Sequence, residues 1–334
     1  MNCASVWSRP VAASDLLRPL SLLLLAALAA VLVSVATGSA DLSLEQVLAV
    51  LSGGGSELQR TLVLELRLPR TLGAFATGGL LAVAGALMQV LLRNPLADPY
   101  VLGLSGGAAF AALLAMLSGL AGWLVSGSAF AGALLSTLLV FGLAHGSGSW
   151  TPARLLLTGV VMASGWGALI TLVLAVAPAR QLPGMLYWLM GDLSQSASPG
   201  PALALLVGVC VLLMPLGRTL NVLARGPLQA AVLGVSVRPL EWLVYLVASL
   251  MTATAVTIAG TVGFVGLVVP HLLRLLLGND QRLILPACAL AGGTLLVLAD
   301  TLARGVVAPE QLPVGVVTAM IGVPTFLYLL YRNR

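Results

Sequence analysis

Serine, histidine, cysteine and arginine are the residue types in this chain that could do chemistry, and their spacing limits what that chemistry is. Gly103-Leu104-Ser105-Gly106 is a GxSG string. A serine on one helix facing a histidine on another makes a nucleophile and its base, because an imidazole must take the hydroxyl proton. His271, directly after Pro270, is the candidate partner. That pair would make an intramembrane serine protease; the competing reading is a helix packed through small residues. His145 and His271 could also ligate a cargo metal, yet both fall near the ends of apolar runs, where satisfied interfacial histidines are the simpler reading. Cys3, Cys210 and Cys288 lie far apart with no CxxC, so neither a zinc site nor a disulfide framework is indicated.

All sixteen basic residues are arginine. This excludes a P-loop lysine and a Schiff-base or catalytic lysine, so ATP chemistry has to belong to another chain. A net charge of +5 would suit nucleic acid, but such binders gather charge on one face. Here the arginines stand singly between apolar runs, and no nucleic-acid partner is expected.

The elements that must position these residues follow from composition. The 334 residues are 59% hydrophobic and 8% charged, with a mean hydropathy of +1.07, whereas a soluble domain carries about a quarter charged residues. The chain reads as a single all-α integral membrane domain, residues 1–334, with room for about ten helices at roughly 20 apolar residues per crossing. Breaks at glycine, proline and charge predict spans over Leu16 to Thr37, Thr71 to Leu92, Pro99 to Leu117, Leu120 to Ala144, Pro152 to Val176, Pro201 to Gly217, Pro239 to Ala259, Gly263 to Gly278, Leu283 to Leu302 and Pro313 to Tyr331. The first run also has the flanks of a signal peptide, but it exceeds the usual apolar region of about 7 to 15 residues and reads as a retained helix.

Ten spans put both termini on one side. With the N-terminus in the cytoplasm, Arg9, Arg18, Arg93, Arg154, Arg218, Arg225, Arg238, Arg274, Arg282, Arg332 and Arg334 fall inside. Arg60, Arg67, Arg70, Arg180 and Arg304 fall outside. That asymmetry predicts cytoplasmic termini.

Three connections are long enough for structure of their own. Gly38 to Leu66, outside, carries Leu44, Val47, Leu48 and Leu51 at helical spacing and a Ser43/Gln46 capping box, which predicts a short helix lying on the membrane surface. Pro178 to Pro199, also outside, has Tyr187 and Trp188 as interfacial aromatics. Arg218 to Arg238, inside, reads as a short amphipathic element where a partner could push. Gly103 with Gly107, Gly142 with Gly146, and Gly260, Gly263 and Gly266 suit close helix approach, and Pro270 and Pro324 suggest bent helices. The eleven acidic residues all fall at or near span ends. No membrane-centre proton relay is visible, which counts against an ion-coupled secondary transporter.

Two blocks of sequence resemble one family. Arg67-Leu-Pro-Arg70-Thr, Gly85-Ala-Leu-Met-Gln89, Arg93-Asn-Pro-Leu-Ala-Asp-Pro99 and Leu102-Gly-Leu-Ser-Gly-Gly-Ala108 form the first. Gly263-Phe-Val-Gly-Leu-Val-Val-Pro-His271, with Arg274, Asp300, Arg304, Glu310-Gln-Leu-Pro-Val-Gly315 and Ile321-Gly-Val-Pro-Thr-Phe326, forms the second. Both resemble the permease subunits of bacterial ABC importers for iron-siderophores, haem and vitamin B12.

The resemblance implies an inner-membrane homodimer with a central pathway, two cytoplasmic subunits that bind ATP and Mg, and a periplasmic binding protein delivering a metal chelate. No catalytic residue, metal or cofactor is then expected on this chain. By the same resemblance Arg67, Arg70 and Arg304 dock acidic residues of the binding protein, a task that suits a permanently charged bidentate donor. The alternative is that Arg304 pairs with Asp300 four residues earlier while Arg67 and Arg70 anchor at lipid headgroups.

Leu223, Gly226, Gln229, Ala230, Ala231, Leu233 and Gly234, within the segment 218–238, match the part that seats in a groove on the ATPase. Pro227, Leu228 and Gln229 stand where the family commonly has acidic residues. Asn94, Pro95 and Leu96, with Thr151 and Pro152, match the places that narrow the pathway at the cytoplasmic face, where an apolar residue such as Leu96 would resist leakage by dewetting, or would simply pack.

The protease and permease readings part at Ser105. Ser105→Ala should leave chelate uptake at the wild-type rate, and a fluorophosphonate probe should not label the wild-type chain; labelling at Ser105 would reinstate the dyad.

Overall fold

The computed structural model of the protein describes residues 13–38, 42–145, 151–194, 198–308 and 310–332. Cys3, Arg9, Asp41, Gly146 and Arg334 lie outside them. The described residues are helical, with no strand: α1 (Ala13–Ala36), α2 (Leu44–Leu51), α3 (Glu57–Arg60), a π-helical turn (Thr61–Arg67), α4 (Leu68–Leu92), a 3-10 turn (Pro99–Leu102), α5 (Leu104–Leu117), α6 (Gly122–His145), α7 (Pro152–Val176), α8 (Leu182–Met190), α9 (Gly200–Leu213), α10 (Gly217–Leu223), α11 (Pro227–Val232), α12 (Val237–Ala259), α13 (Val265–Leu277), α14 (Gln281–Gly305) and α15 (Val314–Arg332). Six helices are long and apolar enough to cross a membrane, or seven if the bent α9–α10 pair is one span. The apolar helices Leu104–Leu117, Val265–Leu277 and Val314–Leu329 are shorter.

Helix starts follow local chemistry. α7 begins and ends where the sequence predicts: the Thr151 hydroxyl accepts the Arg154 N–H and Pro152 occupies the first turn. The predicted Thr71 to Leu92 span begins much earlier, because a second capping box, Ser56 with Gln59, starts a helix at Glu57. Glu57–Leu92 is then one continuous rod of 36 residues. Its charged first part, read in the sequence as loop, carries the π-helical turn.

One other predicted span is broken and another ends early. Gly103, at φ 72, separates the 3-10 turn from α5, and the Asp98 carboxylate caps that turn by accepting the Tyr100 N–H at 2.7 Å. The predicted span Pro201 to Gly217 ends as helix at Leu213, and the chain turns through 75° into α10, which belongs to the predicted element Arg218 to Arg238. Pro270 and Pro324 sit inside α13 and α15, which continue past them.

The bundle is built around α4, buried almost continuously from Thr71 to Leu92. Its neighbours reach it through glycine. A Cβ at Gly78 would run into the carbonyl oxygen of Gly292 on α14, and one at Gly292 into the carbonyl oxygen of Gly78. A Cβ at Gly85 would strike the carbonyl oxygen of Gly266 on α13. Gly107 on α5 and Gly132 on α6 make a similar crossing. Gly142 and Gly263, singled out by spacing, instead have open space where a side chain would go.

The surface helix α2 has the predicted Ser43/Gln46 capping box. It rests on Val35 and Val63 through Val47 and Val50, while Leu44, Leu48 and Leu51 stay exposed beside that buried face.

Gly78→Ala and Gly127→Ala should separate sharply. Gly78→Ala sets a methyl group against backbone and should lose stability at or above the upper end of the roughly 1–3 kcal/mol seen for overpacking. Gly127, with nothing within 4 Å, should tolerate alanine. The recovery of monodisperse detergent-solubilised protein and its melting temperature check both.

Candidate functional site

The structure gathers Arg67, Arg70 and Arg304 at the same end of the bundle, where Arg70 and Arg304 share Asp300. The π-helical turn delivers Arg67, which is 7% exposed. Its Nη1 donates to the carbonyl oxygens of Val35 at 3.0 Å and Ala36 at 2.9 Å, the last of α1. A cation at a helix C-terminus answers both the unpaired carbonyls and the dipole. Arg67 therefore closes α1 and does not point toward lipid headgroups.

Arg70, one turn into α4, grips Asp300 of α14 with Nε at 3.1 and 3.2 Å and Nη2 at 2.8 Å, while its Nη1 donates to Gln311 Oε1 at 2.7 Å. Arg304 reaches the same carboxylate, Nε to Oδ2 at 3.0 Å. Its Nη2 donates to Ser34 Oγ at 2.8 Å, and Ser34 is hydrogen-bonded to Thr71 at 2.9 Å. The i, i+4 pairing of Asp300 with Arg304 was legible; the Arg70 partner, 230 positions away, carries no local signal. Asp300 is 1% exposed. Two guanidinium groups thus share one enclosed carboxylate, with Arg67 close beside them on α1's last carbonyls.

At the opposite end of α4 the chain enters the predicted gate turn. Arg93 closes α4 in the left-handed region at φ 50, and the Asn94 side chain accepts the Leu96 N–H at 2.9 Å. Leu96 is 41% exposed, so its side chain is not core packing. Pro95 and Thr151 are exposed and Pro152 is half-buried. Arg93 also approaches Gly226, which starts the coupling segment's second helix at φ 123.

α11 stands on a buried foot and presents an apolar ridge. Leu223, Gly226 and Ala230 are buried, while Gln229, Ala231, Leu233 and Gly234 are exposed. The most exposed apolar residues are Leu228 at 81% and Val232 at 83%. Neither was among the sequence candidates, although their i, i+4 spacing after Pro227 was the available signal.

Ser105 and His271 are not brought together. His271 of α13 meets the ring of Phe326 edge-on at 6.2 Å, and no hydrogen bond joins it to Ser105 among the described residues.

Asp300→Ala should leave two buried guanidinium groups facing each other and lose about 3–5 kcal/mol, seen as a lower melting temperature in detergent. Arg70→Lys keeps the charge without the fork and should lose less.

Residues 24–332 match the FecCD transport family. The chain is 43% identical over 284 residues to the vitamin B12 import system permease protein BtuC of Yersinia enterocolitica, covering 84% of each chain. It is 40% identical over 285 residues to the hemin transport system permease protein HmuU of Yersinia pestis, covering 81% of this chain and 83% of the relative. Its fold is similar to a solved inward-facing structure described as a metal-chelate type ABC transporter, with a TM-score of 0.85 and 30% identity over 94% of this chain and 99% of that one. With the matched span running through the arginine cluster, the Asn94–Leu96 turn and α10–α11 alike, the chain belongs to the FecCD transport family.

Proposed function

We propose that this chain is the permease subunit of an ABC importer that moves a metal chelate of the vitamin B12 or haem kind across the inner membrane, with no catalytic residue of its own. ATP and Mg bind two separate cytoplasmic subunits, and a periplasmic binding protein delivers the cargo. Seven long spans, counting the bent α9–α10 pair as one, and three shorter apolar helices would make ten crossings with both termini on one side, and the arginine asymmetry favours the cytoplasm for that side. A homodimer completes the pathway. α7 buries only Leu155, Gly159, Trp166 and Val173 against its own chain, leaving Ser164, Gly165, Gly167 and Ala168 exposed for a second copy or a wet path.

The observation that carries this reading is α11. A helix with a buried foot and an exposed ridge of Leu228, Val232 and Leu233 is shaped for a groove on another protein. With no lysine in the chain, that protein supplies the nucleotide chemistry. The arginine cluster supports docking of acidic side chains: Arg70 and Arg304 stay partly exposed beside Asp300, with Arg67 holding α1 behind them. Leu96 and Thr151 stand at the cytoplasmic constriction.

Leu228→Glu with Val232→Glu should fold, because both positions are exposed, yet fail to co-purify with the partner ATPase. The wild-type assembly should take up chelate with ATP and keep doing so in a protonophore. Uptake by the permease alone, or its collapse with the proton gradient, would point to secondary transport.

A further inference from the structure

Asn221, on α10, uses both ends of its amide on the first residues of α14. Its Nδ2 donates to Asp280 Oδ1 at 2.9 Å, and its Oδ1 accepts the Gln281 N–H at 2.8 Å. It thus acts as a second N-cap supplied by another helix. Gly217, one turn earlier on α10, lies flat against the same place, and a Cβ there would sit 2.6 Å from Cγ of Arg282. Asp280 is itself fixed by the Arg282 side chain, with Nη2 to Oδ2 at 2.6 Å. Although partial burial pushes the Asp280 carboxyl up, the hydrogen bonds from Arg282 and Asn221 outweigh it and hold the group below the ordinary carboxylate range. The Asp280 carboxylate is therefore ionised at neutral pH.

The other end of α14 carries Asp300 and Arg304. The rise of an α-helix separates Asp280 from Asp300 by about 30 Å. Between them, at Gly292, α14 crosses α4 backbone to backbone, with Ala82 and Leu296 packed at the crossing. The coupling segment is thus bonded to one end of a helix whose far end is the anchor of the outer arginine cluster.

We infer that Asn221 is a positioning residue that makes α10 and α14 move as one body, so that displacement of the coupling segment reaches the Arg70–Asp300–Arg304 cluster as a shift of α14. This rests on the importer reading, which supplies the displacement. Coupling through a packed element is demonstrated only when a change at one end is read at the other, and the exchangeable amide–carboxylate pair makes that measurable.

The experiment is hydrogen–deuterium exchange of the outer peptides, 31–38 and 298–308, in the permease–ATPase complex with and without vanadate-trapped nucleotide. In the wild type, trapping should change exchange in both peptides. Asn221→Leu removes both hydrogen bonds, and Asn221→Asp sets two carboxylates face to face; each should cut the nucleotide-dependent change to less than half. Asn221→Asp combined with Asp280→Asn should restore it, because the new carboxylate accepts from both the Asn amide and the Gln281 N–H. If the leucine variant does not assemble, the exchanged pair decides alone.

A complex that hydrolyses ATP but shows no outer change, single variants that keep the full change, or an exchanged pair that fails to restore it overturns the inference and leaves the importer reading intact. A wild-type chain that binds no ATPase removes both.

Discussion

Lipid is as apolar as leucine, so nothing in a bilayer drives one greasy helix onto another; association depends on how closely backbones approach and how polar groups are satisfied. Here α4 meets α14 at Gly78 and Gly292 and meets α13 at Gly85 and Gly266, so tightly that a methyl group at any of the four would overlap its neighbour. α1, α9 and α12 pack on the same helices. The glycine junction fixes α4 and α14 side by side, which brings Arg70 within reach of Asp300 at one end. At the other it aligns the Arg93–Leu96 turn with the coupling segment.

The charged residues work within that frame. A carboxylate as enclosed as Asp300 is tolerable only because two guanidinium groups share it, and buried pairs of this kind hold geometry more than they add stability. What they hold is the register between α4, α14 and the end of α1, through Ser34 and Arg67. The opposite end uses neutral and charged hydrogen bonds for the same purpose, at Asn221, Asp280 and Arg282. Both faces are thereby fastened to the single pair of helices that the glycines hold together.

Much of this was legible in the sequence, for identifiable reasons. The helical class follows from composition, and α7 follows from Thr151 and Pro152 at one end and the Ala177–Pro178 break at the other. The Ser43/Gln46 box announced α2. The second box, Ser56/Gln59, was just as readable but was masked by Arg60, Glu65, Arg67 and Arg70, which look like loop until a rod projecting beyond the membrane explains them. Gly103 was missed because apolar residues continue through it, and hydropathy does not report backbone angle; the α9–α10 break was marked by Pro215, Gly217 and Arg218. The positions of the arginines were evident from their motif, whereas their partners were not: Asp300 to Arg70 and Asn221 to Gln281 are long-range pairings that only the bundle brings together. Gly142 and Gly263 had the right spacing and pack against nothing, because a small residue permits close approach without requiring it.

The π-helical turn at Thr61–Arg67 gives the Glu57–Leu92 rod a fault in its phase. Each hydrogen-bonded loop there spans i to i+5 where the flanking helix spans i to i+4, so one residue more is accommodated than a regular helix would hold. A single residue is worth about 100° of rotation. The outer part of the rod can therefore turn Val63 toward α2 and Arg67 toward the end of α1 while Arg70 and Thr71 keep the facing that α14 and α1 demand. Were the fault annealed into regular helix, those two sets of contacts would compete for one azimuth, and the extramembrane shoulder formed by α2 and α3 would be wound off the bundle that carries it.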